Sequence, residues 1–292
     1  MSTFRFMYRG GGAVAALGLT AAERRSRASC AAAAALSTSA SASVALEQQQ
    51  LVVYQYKICP FCSKVKTYLD FLKLPYASVE VNPLTKGELS LVSKDYKKVP
   101  VLTVAQRPSG ETQLLTDSEH IIAFITANLA ASGRDAKSIQ ALLPADTDKW
   151  TAWSDKRLAV MLYPNITRSL AESWECFEYV AHEPTWSLPT QLATRSAGAV
   201  AMMLANGKIK KKYGIVDERK ELKACLAEWT DAIGGRKFLH GDRVTLPDLM
   251  VFGVLRSIAG LSTFREIMAD NDALRGWYER VDGQVVSMDT RK

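Results

Sequence analysis

The stretch QYKICPFCSKVKTYL, residues 55–69, sets two cysteines three apart, with Pro60 and Phe61 between Cys59 and Cys62. Ahead of it, LVVYQY (51–56) is short and rich in β-branched and aromatic residues, the pattern of a buried strand. After Pro60 the period changes. Val65, Leu69 and Leu72 recur at helical spacing, with Lys64, Lys66, Asp70 and Lys73 expected on the outer face. The cysteine pair therefore falls where a strand feeds a helix. Pro60 suits the first helical turn, where its missing N–H costs nothing. The free N–H groups of that turn and the positive end of the helix then face Cys59, and Lys57 is close in sequence. Such a setting lowers a thiol pKa from about 8.5 to about 3.5–7.5. Cys62, one turn further in, is placed to resolve a mixed disulfide formed by Cys59. A buried, unreactive pair is the alternative.

Working outward, YASVEV (76–81) reads as a second strand, 84–94 as a short helix and VPVLTVA (99–105) as a third strand. TQLLT (112–116) follows the turn-like RPSGE, which makes the last two strands a hairpin. TDSEHIIAFITANLA then reads as a helix, with Thr116 and Glu119 at capping-box spacing. A strand, a helix and a second strand in succession imply a parallel pair with a right-handed crossover. With the hairpin added, the order β-α-β-α-β-β-α is thioredoxin-like α/β. Beyond residue 147 no strand pattern survives. Helices are expected at 147–162, 165–181, 189–212, 217–233, 246–260 and 272–283, and all six tryptophans lie in this half. The expected division is a targeting segment at 1–46, a thioredoxin/glutaredoxin-like domain at 50–131, a linker at 132–146 and an all-helical domain at 147–285.

Composition narrows the chemistry. Five cysteines, three of them scattered (Cys30, Cys176, Cys225), do not form a disulfide framework. A zinc site would need four ligands, usually with a second closely spaced pair; here His120, His182 and His240 are isolated, and no metal is expected. The net charge of +7 is partly local, since residues 1–46 hold five arginines against Glu23 alone. Arg- and Ser-rich and poor in acids, that segment reads as a transit peptide, for a mitochondrion or for a plastid where the host has one. A membrane anchor and a plain tail are the alternatives. The rest of the basic excess is thinly spread, so no nucleic acid is implied.

Two further features bear on ligand binding. In KKVPV, Pro100 opens the third strand, and in thioredoxin-like folds a proline here is cis. The Val99 backbone is then free to pair with an extended peptide. In TDSEH, Asp117 and Ser118 open a helix, whose N-terminus suits a carboxylate, and Ser118 adds a hydroxyl; plain capping is compatible with this. A thiolate, a backbone ladder and a carboxylate pocket together fit glutathione. In the helical half, VTLPDLMVFGVL gives Thr245 and Asp248 capping-box spacing, with Val244 and Leu249 at the staple positions.

The segments LVVYQYKICPFCSKVKTYLDFLKLPYASVEVNP, YKKVPVL, LTDSEHII, LPDLMVFGVLRSIAGLSTF and WYERV together resemble the prostaglandin E synthase type 2 family, over roughly residues 51–285. The resemblance implies a glutaredoxin-like N-terminal domain joined to an all-α glutathione-transferase-like C-terminal domain. It implies isomerisation of prostaglandin H2 to prostaglandin E2, with Cys59 as the catalytic thiol. Tyr56 and Phe61 would line the site, Tyr56 able to donate to the sulfur, and Val99, Asp117 and Ser118 would hold glutathione. It further implies a homodimer, a small lipid substrate, peripheral membrane association and haem held together with glutathione. Nothing in the sequence itself suggests haem, although the basic run at Lys208, Lys210, Lys211 and Lys212 could face propionates. A glutaredoxin-like oxidoreductase or glutathione transferase, and a non-catalytic haem–glutathione binding protein, are the rival functions.

Overall fold

A computed structural model describes residues 46–105, 110–131 and 136–291. The targeting segment expected at 1–46 lies outside them except for Leu46. Four strands, β1 (Gln50–Gln55), β2 (Ala77–Glu80), β3 (Val101–Ala105) and β4 (Thr112–Thr116), form one sheet in the order β2-β1-β3-β4. β1 and β2 are parallel, and β3 is antiparallel to both β1 and β4, as the element order requires. Helix α1 (Pro60–Phe71) connects β1 to β2, and a short α2 (Gly87–Ser90) follows. Helix α3 (Ser118–Ala131) completes the α/β half.

The segment expected as linker contains helix α4 (Ala136–Leu142). The helical half follows: α5 (Thr147–Trp153), a π-turn (Ser154–Leu158), α6 (Ala159–Asn165), α7 (Leu170–Cys176), a 3₁₀ segment (Glu178–His182), α8 (Leu188–Tyr213), α9 (Glu218–Ile233), α10 (Leu246–Arg256), α11 (Ser262–Ala269) and α12 (Asp272–Asp282). Expectation and structure differ at 246–260, where the helix ends at Arg256 and a separate α11 follows. The apolar run continues through Ile258 and Leu261, both buried, so hydrophobicity alone does not mark that break.

Both halves lie in one compact unit, Ala42–Lys292. Their joint is α1 against α10. A Cβ on Gly253 of α10 would come within 2.8 Å of the Lys64 Cα, so only glycine allows this approach. The expectation that Lys64 and Asp70 lie outside fails here. α1 is covered on both sides, and Lys64 and Asp70 are 2% and 0% exposed. Each is paired, as a buried charge must be. Lys64 meets Asp155 of the π-turn, and Asp70 takes the Arg256 guanidinium at 2.7 Å.

α10 is held by its start. Asp248 Oδ2 accepts from the Thr245 N–H at 3.0 Å and from its hydroxyl at 2.7 Å, closing the expected capping box. Its Oδ1 accepts from the Leu239 N–H and from the Trp277 indole, both at 3.0 Å. Trp277 packs edge-on to Trp229, and Trp229 to Trp150, forming the centre of the helical core.

Candidate active site around Cys59

Cys59 is the N-cap residue of α1, with Pro60 in the first turn. Its N–H donates to the Tyr56 carbonyl at 2.9 Å and its carbonyl accepts from Ser63 at 3.0 Å, so the turn bearing the sulfur is tied at both ends. The Cys62 thiol and the backbone N–H groups of Cys62 and Phe61 favour charge on the Cys59 sulfur without a capping hydrogen bond to it. With the Lys64 ammonium these outweigh burial and lower the Cys59 pKa. The cation is Lys64 and not the sequence neighbour Lys57, whose side chain is exposed. Cys62 is fully buried, and burial, together with the neighbouring Cys59, holds its thiol well above the ordinary range. The two sulfurs are thus an acidic thiol and a reluctant one.

Other expected residues gather around them. Tyr56 is half-buried, and burial together with the two cysteines pushes its phenol to about 12, so it keeps its proton. Phe61 lies in the first turn of α1, its ring 5.3 Å from the Lys64 ammonium. The Val99–Pro100 peptide is cis, and Val99 stands just ahead of β3, outside the strand ladder. Ser118 is buried at the first residue of α3. Asp117 has φ 71°, a left-handed conformation that Asp tolerates better than most residues. Its carboxylate accepts from the Glu119 N–H at 3.0 Å, so this aspartate caps the helix in place of the expected Thr116–Glu119 box.

Three residues that the sequence did not single out join the site. Tyr96 has its pKa raised by burial and then by Asp117, with Cys62 and Cys59 adding to the shift, so its surroundings include both the thiols and the start of α3. Tyr179, from the 3₁₀ segment of the helical half, is raised by burial and then by Glu80, Tyr56 and Cys59. Glu80, 9% exposed at the end of β2, accepts the Lys57 N–H at 2.9 Å. Tyr96 lies four residues before the cis proline, which is the one local signal for it. Tyr179 and Glu80 depend on long-range packing and leave no local sign.

The donors that haem would need are not assembled. His240 is held between Asp146 at 2.7 Å and Thr245 at 3.1 Å, His182 faces Glu178 at 3.6 Å, and Lys210 is taken up by Glu218. Among the described residues there is no group of three metal-ligating side chains. Among the described residues these side chains are paired elsewhere and assemble no haem site.

A thioredoxin-like sheet with an N-terminal thiol, a cis proline beside a helix start, and a helical half docked on α1 define a glutathione-transferase-like protein. Models of the glutathione S-transferase N-terminal and C-terminal domains match residues 53–132 and 199–280. Glutathione transferase F7 from Populus trichocarpa shares the fold, with TM-score 0.50 at 16% identity over 80% of this chain and 99% of that one. Prostaglandin E synthase 2 of Danio rerio is 32% identical over 272 residues, 80% of this chain and 70% of that protein. That of Mus musculus is 32% identical over 273 residues, with the same coverage. The chain belongs to the prostaglandin E synthase 2 family.

Proposed function

We propose that this chain is a glutathione-dependent isomerase that converts prostaglandin H2 to prostaglandin E2 through Cys59. The observation that carries the reading is Cys59 as the N-cap residue of α1, where the Cys62 thiol, the first-turn N–H groups and Lys64 lower its pKa. In the reaction the Cys59 thiolate attacks one endoperoxide oxygen. An S–O bond forms, the O–O bond breaks, and the released alkoxide is protonated to a hydroxyl. Loss of the proton on the carbon bearing the S–O oxygen then makes the ketone, breaks the S–O bond and returns the thiolate. No atom is gained or lost. Tyr56 and Tyr179, both held protonated, would supply that first proton.

Glutathione supplies a second thiol at this site when bound. The Val99 backbone suits its extended peptide. The α3 N-terminus with the Ser118 hydroxyl suits its γ-glutamyl carboxylate, and Asp117 suits the neighbouring ammonium. A purified-enzyme endoperoxide assay tests the reading: wild type and Cys62→Ser produce prostaglandin E2, whereas Cys59→Ser does not. A thiol–disulfide oxidoreductase is the second reading, favoured by a lowered Cys59 thiol with a buried second cysteine, Cys62, one turn on. Hydroxyethyl disulfide reduction that needs both cysteines, without endoperoxide turnover, would select it.

We further propose a homodimer and delivery to an organelle, the mitochondrion, by residues 1–46, whose arginines respond to a negative-inside potential. Among the described residues no helix is long and apolar enough to cross a membrane. A fluorescent protein fused to residues 1–46 that stays cytosolic would defeat the targeting reading.

A further inference from the structure

Glu80 is a buried carboxyl for which the isomerase mechanism has no use. Its position is fixed by the sheet. β1 and β2 run parallel with Gln55 opposite Glu80, and the Val81 N–H reaches the Gln55 carbonyl at 2.9 Å. That register sets the side chain beneath residues 56–59, where one oxygen takes the Lys57 N–H. Among the described residues no cation forms an ion pair with it. The groups around it come from every neighbouring element. Tyr56 and Lys57 lie on the turn after β1, and Cys62 and Lys66 on α1; Tyr179 and Glu183 come from the 3₁₀ segment and its end. Burying a lone carboxyl beside a thiol is costly unless one of the two holds a proton.

We propose that the Glu80 carboxylate accepts the proton of the buried Cys62 thiol when Cys62 attacks a disulfide formed at Cys59. This rests on the reading of Cys59 as the reactive thiol and extends it to two-thiol chemistry. The Cys59 thiolate first attacks an external disulfide, forming a mixed disulfide and expelling one thiolate. Cys62 then attacks the Cys59 sulfur on the side away from the second external sulfur. The Cys59–Cys62 bond forms, the external thiolate leaves, and the Cys62 proton passes to Glu80. Two electrons move from the cysteine pair to the external disulfide. Burial raises the Glu80 pKa to about 8, while Lys66 lowers it and Glu183 raises it. A carboxylate raised in this way is a stronger base than an ordinary one and is better matched to a thiol proton.

The test uses an aromatic disulfide whose released thiolate absorbs visible light, in a full-length Cys30→Ser background. The first released equivalent reports Cys59 and the second reports Cys62. In wild type the second phase accelerates with pH through an inflection near 8. In Glu80→Gln it slows at least tenfold at pH 7, loses that inflection and matches wild type at pH 9.5, with the first phase intact. Glu183→Gln, which removes a like charge, moves the inflection to lower pH. An unchanged second phase in Glu80→Gln, or one slowed equally at all pH values, overturns the proposal. An absent fast first phase in wild type would instead overturn the reading of Cys59 on which the proposal stands.

Discussion

Cys59 and Cys62 carry the same side chain three residues apart, and their surroundings drive their acidities in opposite directions. At Cys59 the Cys62 thiol, the first-turn N–H groups and Lys64 favour the thiolate; at Cys62 burial dominates. Iodoacetamide should therefore alkylate Cys59 first, with a rate inflection below the free-thiol value of about 8.5. Peptide mapping that finds Cys62 labelled ahead of Cys59 would reverse the assignment. Glu80 gives a second, thermodynamic signal. Its folded pKa, about 8, lies above the unfolded carboxylate range. The unfolded chain thus releases this proton first as pH rises. The contribution of Glu80 to stability is complete below about pH 4.5 and is lost as pH climbs through about 8. Urea unfolding of Glu80→Gln should lack that decline, and relative to its value at pH 5 it should gain about 2–4 kcal/mol over wild type by pH 9.

At the scale of the element, helix starts carry most of what was legible in advance. Cys59 before Pro60, Asp117 with Ser118, and Thr245 with Asp248 are all read from residues adjacent in the chain, and all three lie at helix starts. The cis proline is equally local. What escaped depends on docking. Lys64 and Asp70 have the sequence signature of a solvated helix face, yet α10 and the π-turn cover them and supply Arg256 and Asp155. Tyr179 reaches the thiol only because the helical half sits on the sheet half. Asp248 shows how one local signal serves a larger structure: its spacing announces the cap, but nothing nearby announces Leu239 and Trp277. Asp248→Ala strands four donors at once and should cost about 3–5 kcal/mol, with Asp248→Asn intermediate, as read by urea midpoints. On the same helix, Gly253→Ala should cost about 1–3 kcal/mol by pressing on the α1 backbone. Because that backbone carries Lys64, the same variant should also slow Cys59 alkylation at pH 7.

At the scale of the whole molecule, residues 288–290 pack back against the α/β half. β2 is an edge strand, and an uncovered edge is a template for pairing with another chain. Residues 288–290 run along it. The Tyr76 N–H donates to the Met288 carbonyl at 3.3 Å, and the Thr290 N–H to the Tyr76 carbonyl at 2.8 Å. Asp289 accepts from the Ser78 N–H at 3.1 Å and from its hydroxyl at 2.5 Å. The Met288 N–H reaches Asp70 Oδ1 at 2.8 Å, so the tail and Arg256 share one fully buried carboxylate. Removing residues 287–292 takes one hydrogen bond from that buried charge and bares the edge of the strand whose far end places Glu80. With net contributions of about 0.5–1.5 kcal/mol per hydrogen bond and more for those to charged groups, the loss should be about 3–6 kcal/mol. The truncated chain should unfold at a lower urea midpoint and scatter light increasingly with concentration, as an open edge strand predicts. Wild-type stability after truncation would show that the tail rests on the edge without holding it.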